Sequence, residues 1–222
     1  MLKSDLHLHA GEDKTHILNY SAKELIDKTK SLGFEVLAFT FHQQVFFTKE
    51  IQDYAKKKNI LLISGCEAKI ETKEVLLYNV TQKDVDSIKT FKDLTNLKKK
   101  KDILVIAPHP FFPGGKCLGK MLIKNIKLFD AIEYCHMYLP FINFNKKAVK
   151  IAKKYNLPLI GTSDAHNLWQ LDFTFTLVDS KKDTKAFFKA IKENKLKLVT
   201  RPFLLTRLIH RFIRRILRSE ER

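Results

Sequence analysis

The segment DLHLH at residues 5–9 places Asp5, His7 and His9 on alternate positions. In an extended strand these three side chains point to one face, and the intervening leucines point to the other. Two imidazoles on one face of a strand can bind the same metal ion. The alternative is a half-buried strand at the edge of a sheet, whose histidines are exposed to water. Other metal-ligating residues along the chain distinguish these two interpretations.

Most of the remaining histidines and two acidic residues come directly after short apolar segments that predict β-strands. They are His42 in AFTFH, Glu67 in ISGCEA, His109 in ILVIAPHP, His136 after AIEYC, and Asp164 with His166 in LIGTSDAH. In parallel α/β folds the carboxyl ends of the strands lie at one rim, where active sites form. Histidines scattered over a surface would fall on helices and strand starts equally often. The positions therefore predict a metal centre at this rim.

Short apolar segments alternate with helical patterns along the whole chain. Strands are predicted near residues 2–8, 35–41, 60–67, 74–80, 103–108, 130–135, 158–163, 173–178 and 196–200. Helices are predicted near residues 21–32, 48–58, 82–100, 118–127, 144–155, 183–194 and 203–218. This alternation predicts an α/β fold with a mostly parallel sheet covered by helices. At 222 residues the chain is short for an eight-fold barrel, which favours a smaller or distorted barrel.

The composition is that of one ordinary globular domain. Hydrophobic residues make up 45% of the chain, and the longest apolar segments are far too short to span a bilayer. The N-terminus does not resemble a signal peptide and the three cysteines are scattered, so a reducing cytoplasm is the expected location. Cys66 and Cys135 each stand next to a rim residue in a strand, so their side chains point to the opposite face. Both are therefore predicted to be core residues.

The formal net charge of +17 implies a general attraction to polyanions. Lysines lie mainly on predicted helix surfaces, where solvated charge is the simpler explanation, and all seven arginines lie within residues 201–222. In segment 203–218 apolar and polar positions alternate in pairs, so a helix would carry an apolar face and an arginine face. This helix would cover the barrel, bind nucleic acid or, less favoured, lie on an anionic membrane surface.

Five segments, DLHLH, FTFH, GCEA, APHP and GTSDAH, occur in the order and spacing of the PHP (polymerase and histidinol phosphatase) phosphoesterases. The chain resembles this family from Met1 to about Pro202. We therefore expect a PHP domain at residues 1–202 and a basic amphipathic C-terminal helix at 203–222, packed on the same domain. The resemblance implies a distorted (β/α)7 barrel that holds two or three divalent metal ions.

The resemblance also implies a role for each rim residue. The first metal ion would be held by His7, His9, Glu67 and Asp164. A second ion, bridged to the first by Glu67, would also bind His109. The third ion would bind His42, His166 and one residue of the loop AGEDKTH, for which His16 is favoured over Asp13.

Two positions depart from the family pattern. Phe41 stands where relatives usually carry an aspartate before the second-strand histidine. A phenyl ring can neither bind a metal nor orient a histidine, so the third site is expected to be weaker. Glu74 stands where relatives often carry a histidine, seven residues after the bridging glutamate. Its carboxylate would either bind the second ion or be a solvated charge at a strand start.

A phosphate substrate requires a cation or a hydrogen-bond donor besides the metals. No arginine precedes Arg201, so Lys116 in the loop PFFPGGK is the candidate phosphate contact, unless it is an ordinary exposed lysine. His136 would contact the substrate, donate a proton to the leaving group, or be solvated. Together with Asp164, these two residues form the expected catalytic set.

Mixed imidazole and carboxylate ligands suit Zn²⁺, Mn²⁺ or Fe²⁺, and a bridging carboxylate holds two ions about 3.5–4 Å apart. Such a pair lowers the pKa of a shared water, so the expected nucleophile is a metal-bridging hydroxide that attacks a phosphate mono- or diester. The basic composition mildly favours a nucleotide or nucleic-acid substrate. Two alternatives stay open: a small-molecule phosphatase of the histidinol-phosphatase kind, and a metal-containing nucleic-acid-binding module without turnover.

Overall fold

The computed structural model describes residues 1–203. Its strands are β1 (Leu2–Leu8), β2 (Val36–Phe39), β3 (Leu61–Ile70), β4 (Lys73–Tyr78), β5 (Leu104–Ala107), β6 (Ala131–Cys135), β7 (Leu159–Thr162), β8 (Thr174–Val178) and β9 (Leu196–Thr200). Its α-helices are α1 (Ala22–Ser31), α2 (Lys49–Lys57), α3 (Gln82–Ser87), α4 (Phe91–Lys100), α5 (Lys120–Lys124), α6 (Asn145–Tyr155) and α7 (Thr184–Lys192). The predicted helix at 203–218 and its arginine face lie outside the described residues, apart from Phe203.

The strands form one sheet in the order β7-β6-β5-β4-β3-β2-β1-β8-β9. β1 pairs in parallel with β2, β2 with β3, β5 with β6, and β6 with β7, whereas the other four neighbouring pairs are antiparallel. The expectation of a mostly parallel sheet was therefore wrong. One cause is the two-residue link between β3 and β4, where Glu71 and Thr72 both adopt positive φ, 46° and 70°. Such a link makes a hairpin, which joins strands in antiparallel order.

The sheet curls so that its end strand β7 lies against β8, next to the opposite end strand β9. The Thr176 hydroxyl on β8 accepts a hydrogen bond from the backbone N–H of Gly161 at 2.8 Å and donates one to its carbonyl at 2.9 Å. A Cβ at Gly161 would lie only 2.8 Å from the carbonyl oxygen of Phe175, so a side chain at this position would push the two ends apart. The nearly closed sheet confirms the predicted distorted barrel.

Two of the predicted helices differ from the expectation: one is divided into two helices, and the other is shorter. The single helix expected over residues 82–100 is two, because Thr81 and Thr90 each begin a helix with a capping box of their own. The helix expected over residues 118–127 is reduced to α5 and a following 3₁₀ turn at Ile126–Leu128. Among the described residues, no helix has the length and apolar character needed to cross a membrane.

β1 lies inside the sheet, between β2 and β8, and its last five residues are buried. The interpretation of DLHLH as an edge strand with exposed histidines was therefore wrong. Leu6 and Leu8 belong to apolar clusters of the core, and Cys66 and Cys135 are fully buried as predicted. The polar side chains at the end of β1 are thus enclosed by core rather than placed at a surface.

Candidate metal centre

The imidazoles at the end of β1 converge with two carboxylates. Nε2 of His7 lies 3.4 Å from Oδ1 of Asp164 and 3.5 Å from Oε2 of Glu67. Nε2 of His9 lies 3.4 Å and 3.7 Å from the same two oxygens. The Nε2 atoms of both histidines and Oε1 of Glu67 are buried and have no hydrogen-bond partner. Because buried polar atoms are almost always paired, these atoms fit the ligands of a metal ion.

Glu67 stands between two groups of imidazoles. Its Oε2 lies 3.1 Å from Nε2 of His42, and its Oε1 lies 3.4 Å from Nε2 of His109. A carboxylate whose two oxygens face different ligand groups is suited to bridging two ions. The arrangement follows from β3, which places Glu67 beside His42 in an isolated parallel bridge after β2 has ended.

Glu74 lies at the edge of this cluster. It is 9% exposed, and its Oε2 is 3.9 Å from Nε2 of His109. One oxygen of Glu74 also groups with ligand atoms of His42 and Glu67 within 4.8 Å. The alternative that this carboxylate is a solvated surface charge was therefore wrong, and its distances allow it to bind an ion held by Glu67.

Five histidines of the cluster are held through their second ring nitrogen, Nδ1. Nδ1 of His7 lies 2.7 Å from Glu133, and the Nδ1 atoms of His9 and His42 each lie 2.8 Å from Oδ2 of Asp13. Acceptors at Nδ1 fix the proton there and leave Nε2 free to bind a metal ion. The remaining two Nδ1 contacts are His109 with Sγ of Cys117 at 3.4 Å and His166 with the carbonyl of Asp164 at 3.0 Å.

The loop after β1 contributes both of the residues considered for the third ion. Asp13 is buried and is occupied by its contacts with His9 and His42, so it orients these rings. The ring of His16 is partly exposed and lies 4.7 Å from the His42 ring and 4.8 Å from the His166 ring, centroid to centroid. The structure thus brings His16, His42 and His166 together on the open side of the cluster.

His136 and Lys116 lie in different environments from each other. His136 is fully buried, with Nε2 3.0 Å from the amide nitrogen of Gln170, which excludes the solvated alternative. Burial lowers the pKa of His136 to about 4, so the ring is neutral near pH 7 and accepts this hydrogen bond. Lys116 is 62% exposed and its ammonium lies 3.2 Å from Oε1 of Glu74, at the mouth of the cluster.

The electrostatic field of the cluster favours cations. Burial by itself lowers the pKa of His7, but the surrounding carboxylates of Asp164, Glu133 and Glu67 raise it well above the ordinary value. Burial likewise opposes ionisation of Glu67, but the neighbouring imidazoles, His7 first, hold its pKa well below the ordinary value. The acidic groups thus stay charged inside the protein, which a bound divalent cation would compensate.

Two cluster residues carry strained backbone. His109 has φ of 26° and Asp164 has φ of 45°, in the left-handed region that non-glycine residues seldom adopt. The strain at His109 is greater because Pro110 follows it, and a residue before proline is normally extended. Such conformations persist where surrounding contacts enforce them, commonly at functional sites. At His109 that contact is the hydrogen bond from its backbone N–H to Oε2 of Glu133 at 2.5 Å.

Glu133 and Cys117 are the site residues that the sequence reasoning missed. Glu133 is fully buried and also accepts a hydrogen bond from the hydroxyl of Thr162. A charged residue in the middle of the apolar strand segment AIEYC is the signal that could have identified it. For Cys117 the sequence carries no such signal, because its contact with His109 depends on how the glycine-rich loop folds back.

Comparison with known families identifies the fold. The PHP domain matches residues 5–109, and the PHP-associated domain matches residues 143–196. The chain belongs to the PHP family. Most of the residues of the cluster lie within these two segments, which confirms the family that the motifs indicated. No curated protein matches the chain.

Solved structures share this PHP fold at low sequence identity. A two-domain protein from Bacteroides vulgatus that contains a predicted PHP-like metal-dependent phosphoesterase has a TM-score of 0.66 and 18% identity over 90% of this chain and 64% of its own. PsfC from Pseudomonas syringae has a TM-score of 0.64 and 16% identity, covering 90% of this chain and 91% of its own. The lesion-specific endonuclease Q from Pyrococcus furiosus has a TM-score of 0.66 and 18% identity, covering 89% of this chain and 57% of its own.

This PHP chain covers less than two thirds of the length of the Bacteroides and Pyrococcus proteins. An endonuclease Q complex with a 27-mer duplex that carries an abasic lesion is a further structural relative, with a TM-score of 0.64 and 18% identity over 86% of this chain and 56% of its own. At these identities the structures establish a shared fold.

Proposed function

We propose that this PHP protein is a phosphoesterase that binds two or three divalent ions, of zinc, manganese or iron, and hydrolyses a phosphate mono- or diester. The observation that carries the proposal is the set of buried, unpartnered ligand atoms on His7, His9 and Glu67, all directed at one space. A bound divalent ion would give these buried atoms the partners that they lack.

The proposed ligands form three groups, of which the first two share Glu67. The first is His7, His9, Glu67 and Asp164; the second is Glu67, Glu74 and His109; the third is His16, His42 and His166. When bound, divalent ions lower the pKa of coordinated water and neutralise charge on a phosphoryl group. Glu133 and Asp13 hold the imidazoles in the tautomer that this ligation requires.

Lys116 is the proposed phosphate contact of the protein itself. Its exposed ammonium lies at the mouth of the cluster, where it can turn from Glu74 to a phosphate oxygen. The neutral, buried ring of His136 is poorly suited to protonating a leaving group, and we propose instead that it positions His166. The link is Gln170, whose side chain donates to His136 and accepts from the backbone N–H of His166 at 2.9 Å.

The substrate class is proposed to be a nucleotide or nucleic acid. The net charge of +17 attracts polyanions, and relatives that share the fold include an endonuclease bound to duplex DNA. A small-molecule phosphatase and a binding module without turnover are the competing proposals. The weaker third site expected from Phe41 would favour the binding module, but this argument carries less weight because Asp13 orients His42. A cytoplasmic location and the division at residue 202 stay predictions.

Turnover of p-nitrophenyl phosphate and bis-p-nitrophenyl phosphate by the full chain tests the proposal. We expect hydrolysis of at least one ester with Mn²⁺ or Zn²⁺, and none after chelation, because the proposed nucleophile is a water activated by bound metal. The ratio of the two rates separates a monoesterase from a diesterase. Tight metal binding without turnover of either ester would instead favour the binding module.

Substitution of Glu74 is expected to affect catalysis more than stability. Substitution of Phe41 is expected to affect stability more than catalysis. Glu74→Ala removes a proposed ligand from the edge of the cluster, so we expect slower ester hydrolysis with a nearly unchanged melting temperature. Phe41→Ala removes a fully buried ring that stacks on Phe46 at 5.2 Å, and such losses cost about 3–5 kcal/mol. Melting curves measured beside the kinetics check both. Wild-type kinetics in Glu74→Ala would remove this carboxylate from the ligand set.

A further inference from the structure

Exposed apolar side chains gather in the segment between β6 and α6, next to the metal cluster. They are Met137 at 40% exposure, Phe141 at 79%, Ile142 at 53% and Phe144 at 41%. Single exposed apolar residues are ordinary on a protein surface, but several in one short segment are typical of a binding surface. The cluster does not require them, because none of these side chains carries an imidazole or a carboxylate.

Phe112 connects this segment to the cluster. Its backbone N–H donates to the carbonyl of His109 at 3.1 Å, so it lies one turn away from a proposed metal ligand. The Phe112 ring is 6.5 Å from the His109 ring and 5.3 Å from the Phe144 ring, centroid to centroid. A continuous row of rings therefore runs from the cluster, through half-buried Phe112, to the exposed Phe144.

The part of the chain that carries this row is strongly basic. Residues 103–163, which contain all of it, carry nine lysines and two acidic residues. Both acids have partners within the fold, because Asp130 pairs with Lys98 at 2.9 Å and Glu133 pairs with His7. Near the row, Lys147 places its ammonium 4.6 Å from the centre of the Phe111 ring. Exposed rings among lysines complement a chain of phosphates that carries flat bases.

We propose that Phe112 and Phe144 form a surface on which a base of a nucleotide or single-stranded nucleic acid stacks while its phosphate occupies the metal cluster. The inference rests on the proposed phosphoesterase function and adds a requirement for a base. In a nucleotide only one sugar lies between the base and the phosphate. A base that stacks on a ring next to His109 would therefore keep its phosphate close to the cluster. Stacking on phenyl rings tolerates every base, so the surface would bind with little sequence preference.

Two single-stranded oligomers of equal length and charge test this surface: an oligothymidylate and an oligomer of abasic units. Fluorescence anisotropy with the full chain gives both affinities, and a gel checks that the oligomers stay intact. We expect wild type to bind the oligothymidylate about ten-fold more tightly, the effect of one stacked base. Phe144→Ala should bring this ratio close to one, and Phe144→Trp should preserve it. Ile123→Ala is the matched control, because Ile123 is 39% exposed on α5 but has no ring.

The outcomes distinguish this surface from the proposed function. Equal affinity of wild type for both oligomers, or an unchanged ratio in Phe144→Ala, overturns the stacking surface even if p-nitrophenyl esters are hydrolysed. A base preference that Phe144→Ala abolishes supports the surface even if no ester is turned over. Weaker binding of Phe144→Ala to anionic vesicles, with an unchanged oligomer ratio, would overturn the surface and assign the exposed rings to a membrane.

Discussion

Replacing His9 or Asp164 with alanine is expected to abolish phosphoesterase activity and to lower the amount of bound metal. Both side chains face the same space, with His9 Nε2 and Asp164 Oδ1 3.4 Å apart. Loss of an outer partner of a metal ligand typically costs 10–100-fold, so loss of a ligand itself should exceed about 100-fold. The fold should persist, because the barrel has its own apolar core. Kinetics and metal analysis of the purified variants give both values.

Asp164→Asn is the control for backbone strain in this experiment. Alanine tolerates the φ of 45° at this position poorly, whereas asparagine adopts the left-handed region more readily. The asparagine variant should therefore melt close to wild type and still lose activity, because its amide is a weaker ligand than a carboxylate. Full activity and unchanged metal content in His9→Ala or Asp164→Asn would show that these residues are not ligands.

Glu133→Gln is expected to lower metal affinity or activity by about 10–100-fold, although Glu133 is not a proposed ligand. Its carboxylate accepts hydrogen bonds from the Nδ1 of His7, the hydroxyl of Thr162 and the backbone N–H of His109. An amide has one oxygen and one donor group, so it cannot serve all of them. His7 would then lose its fixed tautomer, and the strained backbone of His109 would lose its partner. Metal titration with activity measured in parallel checks this.

Asp130→Asn is the matched control for Glu133→Gln. Asp130 comes directly before the same strand and holds Lys98 and the backbone N–H of Val105, away from the metal cluster. This substitution should lower the melting temperature and leave metal affinity near that of wild type. If both variants lose metal affinity equally, the effect of Glu133 is general destabilisation. If neither does, Glu133 has no role in holding the metal ligands.

The grouping of the proposed ligand residues could be predicted because their positions follow from local periodicity. Strand alternation and the rule that active sites lie at the carboxyl ends of strands were enough to group His7, Glu67 and His109, which the structure brings together. The partners that orient them could not be predicted in the same way. Glu133 reaches His7 across 126 positions of sequence, and only the closure of the barrel brings the two together.

The errors in the predicted fold came from local geometry that outweighed the average pattern. The link at Glu71 and Thr72 reverses the chain without the glycine or asparagine that normally marks a tight hairpin. The break between α3 and α4 follows from Thr90, which competes for the helix backbone and starts a new helix. His136 directly follows β6 as expected, but the ring of Phe203 and the amide of Gln170 enclose it, so it is not solvated.

The most direct test of the proposed metal centre is the activity of the chelated full chain, measured as metal ions are added back one equivalent at a time. We predict that hydrolysis of bis-p-nitrophenyl phosphate or p-nitrophenyl phosphate is absent without metal. It should rise only as the ions bound per chain approach two, because Glu67 faces two groups of ligands. Full activity in the metal-free chain, or full metal occupancy with no hydrolysis of either ester, would contradict the proposal.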